Sequence, residues 1–149
     1  MTEVKMAVDR TNVKQALATL RQDPPLCADS AIFEIKNNGD WLYQGGALPI
    51  KFCTLFASIL NRIEGEYYLI TPVEKLKVVV ASEALVIIDY NVDAKGGFTV
   101  KSSINTHHYI ESFSLFTVTE ANINVMTDRG VMAKLNRACF YRFINEFIA

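Results

Sequence analysis

WLYQGGALPIKFCTLFASILNRIEGEYYLITPVEK, residues 41–75, joins an aromatic strand, a glycine turn, a proline-started helix and a second aromatic strand in one short segment. Alternation places Trp41 and Tyr43 on the same strand face, whereas the adjacent Tyr67 and Tyr68 face opposite ways. At least one of these tyrosines therefore lies away from the central core. Pro49 sits at a first helical turn, where a missing N–H costs nothing. Phe52, Leu55, Phe56, Ile59 and Ile63 repeat on one face behind it, so the spacing predicts a helix from Pro49 to Arg62. Pro72 fixes its own φ and lacks a donor, which makes Thr71 to Lys75 a rigid bend rather than a flexible linker.

Before this segment, Val13, Ala16, Leu17 and Leu20 recur at the spacing of an amphipathic helix over Asp9 to Gln22. Asp9 or Thr11 supplies a cap, and Pro24-Pro25 forces a stop. Ile32 to Lys36 and Trp41 to Gln44 read as strands around Asn37-Asn38-Gly39-Asp40, where Asn-Gly accepts positive φ cheaply. Gly45-Gly46 is read as the end of the second strand.

Strands continue after Glu64-Gly65-Glu66, with Tyr67 to Thr71 followed by Lys75 to Ala81, which sets Leu76, Val78 and Val80 on one side. Leu85 to Val92 and Phe98 to Ser103 flank a five-residue loop, Asp93 to Gly97. That loop length pairs Val92 with Phe98, Tyr90 with Val100 and Asp89 with Lys101, so one register aligns the apolar side and matches the charges. Residues Ile104 to Thr119 give no regular pattern. Ala121 to Met126 and Val131 to Leu135 form a third hairpin about Thr127 to Gly130, and a last helix from Asn136 to Phe147 buries Phe140, Phe143, Ile144 and Phe147. Hairpin followed by helix thus occurs at Ile32 to Arg62 and again at Ala121 to Phe147, either a structural repeat or a coincidence of a common unit.

The resulting fold class is α+β, with two packed α+β units, an N-terminal one over residues 1–72 and a C-terminal antiparallel sheet with its helix over residues 73–149. Half of the residues are apolar and 21% are charged, an ordinary globular composition. Fifteen Lys and Arg against sixteen Asp and Glu leave a net charge of −1, which argues against nonspecific binding to nucleic acid or anionic membranes. The N-terminus lacks the apolar stretch of a secretory signal, and no apolar run approaches the roughly 20 residues that span a bilayer. A cytoplasmic location is expected, with no membrane partner. Cys27, Cys53 and Cys139 are odd in number and widely spaced, so buried reduced thiols are expected, and neither metal nor cofactor.

Trp41-Leu42-Tyr43 with Gly45, Pro49-Ile50 followed by Leu55-Phe56, and Tyr68 with Ile70-Thr71-Pro72-Val73-Glu74-Lys75 carry a resemblance to the bacterial domain-of-unknown-function family 1285. It runs from about Ile32 to the C-terminus and is most specific at the Thr-Pro-x-Glu-Lys segment. The resemblance implies a two-part α+β fold with repeated motifs, whose C-terminal part looks like a pleckstrin-homology barrel closed by a C-terminal helix. It also implies binding of a ligand or partner, with a role in signal transduction, and no established activity. Three departures stand out. Lys51 occupies a position where members often carry arginine, and a point charge replaces a planar fork there. The family's Thr-Asn-Val-Gly-Asp region is here Ser102-Ser103-Ile104-Asn105-Thr106, and its His-Pro step is replaced by His107-His108-Tyr109.

The candidate ligand-binding set is Trp41, Tyr43, Lys51, Tyr68, Thr71, Glu74 and Lys75, around a cleft between the two units. Trp41 and Tyr43 supply apolar contact, while Thr71, Glu74 and Lys75 orient a polar group. The structural alternative is that Thr71 satisfies turn amides, Glu74 and Lys75 hold register, and the rings pack in the core. His107-His108 points two ways from a strand and is poor for metal capture, so an exposed loop is expected there. No catalytic serine elbow, Walker loop or dinucleotide cradle is present; Gly45-Gly46 before a helix invites an anion only weakly. The leading reading is a non-enzymatic binding module for an unknown small molecule. A protein-interaction adaptor is second, and a hydrolase using Glu74 or His108 as a base is third.

Overall fold

The structure, a computed structural model, describes residues 13–20 and 33–148. Residues 13–20 form helix α1, which buries Val13, Ala16 and Leu17 as the periodicity requires. Its expected cap, the Pro24-Pro25 stop and Cys27 lie outside the described residues.

β1 (Phe33–Ile35) and β2 (Trp41–Tyr43) pair antiparallel about the Asn-Gly turn, where Asn38 Oδ1 accepts the Asp40 N–H at 3.0 Å. The chain does not leave the sheet at its double glycine. Gly46 instead starts β3 (Gly46–Ala47), which folds back on β2. Helix α2 (Ile50–Ala57) is shorter than its apolar stripe predicts, because Leu60 begins β4 (Leu60–Ile63). The cause is local: Glu64 and Gly65 take φ values of 52° and 84°, the paired positive φ of a type I′ hairpin, and this turns β4 into β5 (Glu66–Ile70). Leu60 is consequently fully buried, while Ile63, expected on the buried helical face, is exposed.

β6 (Lys75–Val80) pairs antiparallel with β5 and parallel with β1, which completes a six-stranded sheet of order β3-β2-β1-β6-β5-β4. The boundary expected at residues 72/73 therefore falls inside this sheet, at the β5–β6 turn. Sheet membership changes at residues 81–84 instead.

β7 (Leu85–Val92) and β8 (Phe98–Ser102) adopt the register read from their charges, with Val92 opposite Phe98, Tyr90 opposite Val100 and Asp89 opposite Lys101. A bulge between Ile87 and Asp89 then shifts the pairing. The stretch without periodicity holds two short strands, β9 (His107–Ile110) and β10 (Phe116–Val118). β11 (Ile123–Met126) and β12 (Met132–Leu135) complete a second sheet of order β10-β11-β12-β7-β8-β9, in which β12 runs parallel to β7.

Both sheets have the same plan: two antiparallel three-stranded meanders, joined where the first and last strands run parallel. The two hairpin-helix units are present, and the repeated strand order extends well beyond them. The second sheet curls into a half-barrel, since the rings of Phe98 on β8 and Phe116 on β10 come within 4.8 Å across its open side. Helix α3 (Arg137–Phe143) fills that opening with Phe143, whose ring touches those of Tyr90, Phe98 and Phe116. The chain continues as a π-helical turn, Ile144–Ile148, where Phe147 remains 36% exposed rather than buried. Among the described residues, no helix is long and apolar enough to cross a membrane.

Candidate functional site

The two sheets are joined by side chains that reach across the junction. Arg129, in the β11–β12 turn, donates from Nε to Leu60 O at 2.8 Å and from Nη2 to Ala57 O at 2.9 Å. Arg62 returns the contact from β4, donating from Nε to Gly130 O at 2.7 Å. The Tyr67 hydroxyl accepts the Met132 N–H at 3.1 Å. On another side of the junction, Lys134 donates to Asn37 Oδ1 at 2.8 Å and to Ser82 Oγ at 3.1 Å.

Beside these contacts lies a cleft of about 340 Å³. Arg62, Glu66, Tyr67 and Lys77 line it from the first sheet, together with Val78, Val79 and Val80. Ser82 and Glu83 of the linker and Met132 of the second sheet complete the wall. Charges within it are largely matched. Lys77 and Glu66 form an ion pair, and that hydrogen bond raises the lysine's affinity for its proton. Glu83 Oε2 accepts from Asn124 Nδ2 at 2.9 Å, and its Oε1 lies 3.9 Å from Lys134 Nζ. Burial pushes the Tyr67 phenol upward, opposed by the bond from Met132 N–H, so Tyr67 serves as a neutral acceptor.

The family model of domain of unknown function DUF1285, N-terminal domain, matches residues 20–83, ending in the linker between the sheets. A solved structure of a DUF1285 family protein from Shewanella baltica is 41% identical with a TM-score of 0.75, covering 80% of this chain and 95% of its own. The chain belongs to the DUF1285 family. Another DUF1285 family protein, from Silicibacter pomeroyi, shares the fold at 24% identity and a TM-score of 0.68, covering 87% of this chain and 82% of its own. No curated protein matches the chain.

In this DUF1285 chain the seven residues singled out from sequence do not converge. Tyr43 lies opposite Phe33, Phe33 opposite Val78 and Val78 opposite Tyr67, so these four share the inner face of the first sheet. Trp41, opposite Ile35, is on that face too and is only 2% exposed. Tyr68 pairs with Lys77 and Lys75 with Ile70, which puts Tyr68 and Lys75 on the outer face. There Lys75 Nζ lies over the Tyr68 ring at 4.4 Å from its centroid.

Thr71 acts locally. Its Oγ1 accepts the N–H groups of Glu74 at 2.9 Å and Val73 at 3.3 Å, and its own N–H donates to Glu74 O at 2.9 Å. The turn projects outward, with Val73 83% exposed, so Pro72 is no shared wall between the units. Glu74 is half-buried in this turn, and Lys51 is an exposed residue of α2 near the ring of its neighbour Phe52.

None of the seven lines the cleft. The sequence gives little sign of this lining, because Arg62 falls within the helical spacing of residues 49–62 and Met132 approaches only through long-range pairing.

His108 is not in an exposed loop. It lies on β9 with its side chain 10% exposed, Nδ1 3.0 Å from Asp128 Oδ2 and Nε2 2.9 Å from Thr106 Oγ1. Thr106 Oγ1 is in turn 2.6 Å from Ser102 Oγ. Ser102 Oγ also accepts the Thr106 and Ile104 N–H groups, so this acid–imidazole–hydroxyl chain ties the β8–β9 turn to the β11–β12 turn. His108 and Glu74 belong to different sheets' hairpins, and neither lines the cleft. Cys53 and Cys139 are buried free thiols, and burial pushes Cys53 up to about 11. Among the described residues, no group of acidic, histidine and cysteine side chains is arranged to hold a metal.

Proposed function

We propose that this chain is a non-enzymatic binding module whose ligand occupies the cleft between the two sheets. The observation that carries the reading is a concave site walled by both halves of the fold, from Arg62 and Tyr67 on one side to Met132 on the other. Its volume of about 340 Å³ lies at the lower end of the range of small-molecule sites, roughly 300–1,000 Å³. Hydrogen bonds of Tyr67 and Arg62 across the seam hold the walls in place before any ligand arrives, which reduces the ordering cost of binding. A binding event there bears on the relation of the two sheets, as a signalling role in the cytoplasm requires.

The test is a fragment and metabolite screen by thermal shift and amide NMR on the full chain and on Val79→Trp. Val79 is 41% exposed and lines the cleft, so a larger side chain there obstructs it without entering the core. Hits are expected to perturb amides of Arg62, Tyr67, Val78 and Met132 and to weaken at least about tenfold in the variant. Hits that map elsewhere, or bind a folded Val79→Trp unchanged, reject the site.

An adaptor role is the second reading, favoured by exposed apolar side chains around the end of α3. Phe113 and Phe147 lie 5.6 Å apart at 40% and 36% exposure. Capture of a stable partner that is lost in Phe113→Ser, without any ligand shift in the cleft, selects it.

A further inference from the structure

Resting on the cleft reading above, we infer that the ligand is a small organic carboxylate, held through Arg62. The cleft's ionisable side chains are unequal in what they have left to offer. Lys77 is neutralised by Glu66, and Glu83 is engaged by Asn124 and approached by Lys134. Arg62 differs: its Nε donates to the uncharged carbonyl of Gly130, and among the described residues no carboxylate pairs with its guanidinium.

Among the described residues, two cations and two carboxylates line the cleft, and Arg62 is the cation without a carboxylate in direct contact, on a half-buried side chain anchored at one nitrogen. Anchoring through Nε matters because it leaves the two terminal nitrogens, a planar pair of donors spaced to meet both oxygens of one carboxylate. Partial burial strengthens such a bond relative to one in open water. The remaining wall selects the rest of the molecule. The wall's apolar part is small, from Val79, Val80 and Met132, since Val78 and Tyr67 are nearly covered and the Tyr67 hydroxyl is already used by Met132. A dianion or polyphosphate fits this wall poorly, since Glu66 and Glu83 lie within it and the second cation is already paired.

The experiment compares benzoate, benzamide and benzylamine on the full chain by calorimetric titration and amide NMR, followed by benzoate on Arg62→Gln. The expected result is that benzoate binds in the cleft, that both uncharged and cationic analogues bind at least about tenfold more weakly, and that Arg62→Gln loses a similar factor. Benzamide or benzylamine binding as well as benzoate in the cleft overturns the carboxylate assignment and leaves the cleft reading standing. Binding of all three outside the cleft, mapped by shifts away from Arg62, Tyr67 and Met132, overturns both. Arg62→Gln also removes the bond to Gly130; the comparison of the three analogues on the unmutated chain decides the matter if that variant does not fold.

Discussion

Tyr67 and Met132 meet across the junction of the two sheets, the phenol oxygen of one accepting the main-chain N–H of the other at 3.1 Å. The bond is partly buried, so removing the hydroxyl takes the acceptor from the Met132 N–H. Tyr67→Phe is expected to destabilise the protein by about 1–3 kcal/mol, read from the midpoint of urea unfolding. An unchanged midpoint with an unchanged m-value shows that this bond contributes nothing to holding the sheets together.

Arg129 has φ 57° and spends its guanidinium on two carbonyls of the first sheet's unit. Arg129→Asn keeps a residue that tolerates the left-handed region but removes both donors. A loss of about 2 kcal/mol is expected, with faster proteolysis of the 81–84 linker as the sheets separate more often. If Arg129→Gly destabilises less than Arg129→Asn by more than the measurement error, backbone strain outweighs the hydrogen bonds.

Gly39 has φ 93°, and a Cβ there lies 3.0 Å from both Ser103 Oγ and Val86 Cγ2 of the second sheet's unit. Gly39→Ala combines backbone strain with a steric push on that contact. A cost of about 1–3 kcal/mol follows, while the β1–β2 pairing itself survives. Thermal unfolding with amide shifts of Val86 and Ser103 checks both parts; shifts confined to the turn refute the contact.

Cys53 gives a pH signature. Burial raises its thiol from an ordinary 9.0 to about 11, so the folded chain retains a proton that the unfolded chain has released in between. The contribution is complete below pH 9 and is lost as pH rises toward 11. Stability of the native chain is expected to fall more steeply over this window than that of Cys53→Ala, measured by urea unfolding at several pH values. Parallel curves refute the role of this thiol.

Asn136 caps α3 by accepting the Cys139 N–H at 2.9 Å. Asn136→Ala is expected to cost about 1 kcal/mol and to loosen Phe143 in the half-barrel, visible as a lower thermal midpoint and altered aromatic near-ultraviolet signal.

The elements legible from sequence were those governed by neighbours along the chain. Asn38-Gly39 and the Asp93–Gly97 loop set their hairpins because positive φ and side-chain bonds such as Asp93 Oδ1 to the Lys95 and Gly97 N–H groups are local. The β7–β8 register followed from loop length and matched residues. β4 is hidden in the sequence because Ile59 and Ile63 satisfy a helical spacing as well as any real helix does; the deciding conformation at Glu64-Gly65 lies just beyond it. β9 and β10 were too short to show a period.

The residues that line the cleft were not legible in the sequence. A seam with a cleft exists, but alternation along one strand says nothing of which face of a neighbouring strand aligns with it. Trp41 and Lys75 consequently looked like partners and stand on opposite faces of one sheet.

Composition, turn residues and alternation by themselves determined an α+β chain of hairpins with a helix at its end, because φ preferences and one-sided burial act within a few residues. Only tertiary structure decided that β1 runs beside β6 and β7 beside β12, and so that Arg62, Tyr67 and Met132 share a wall. Those parallel pairings close long loops, and their reward comes from burial shared by strands far apart in sequence, which no local preference encodes.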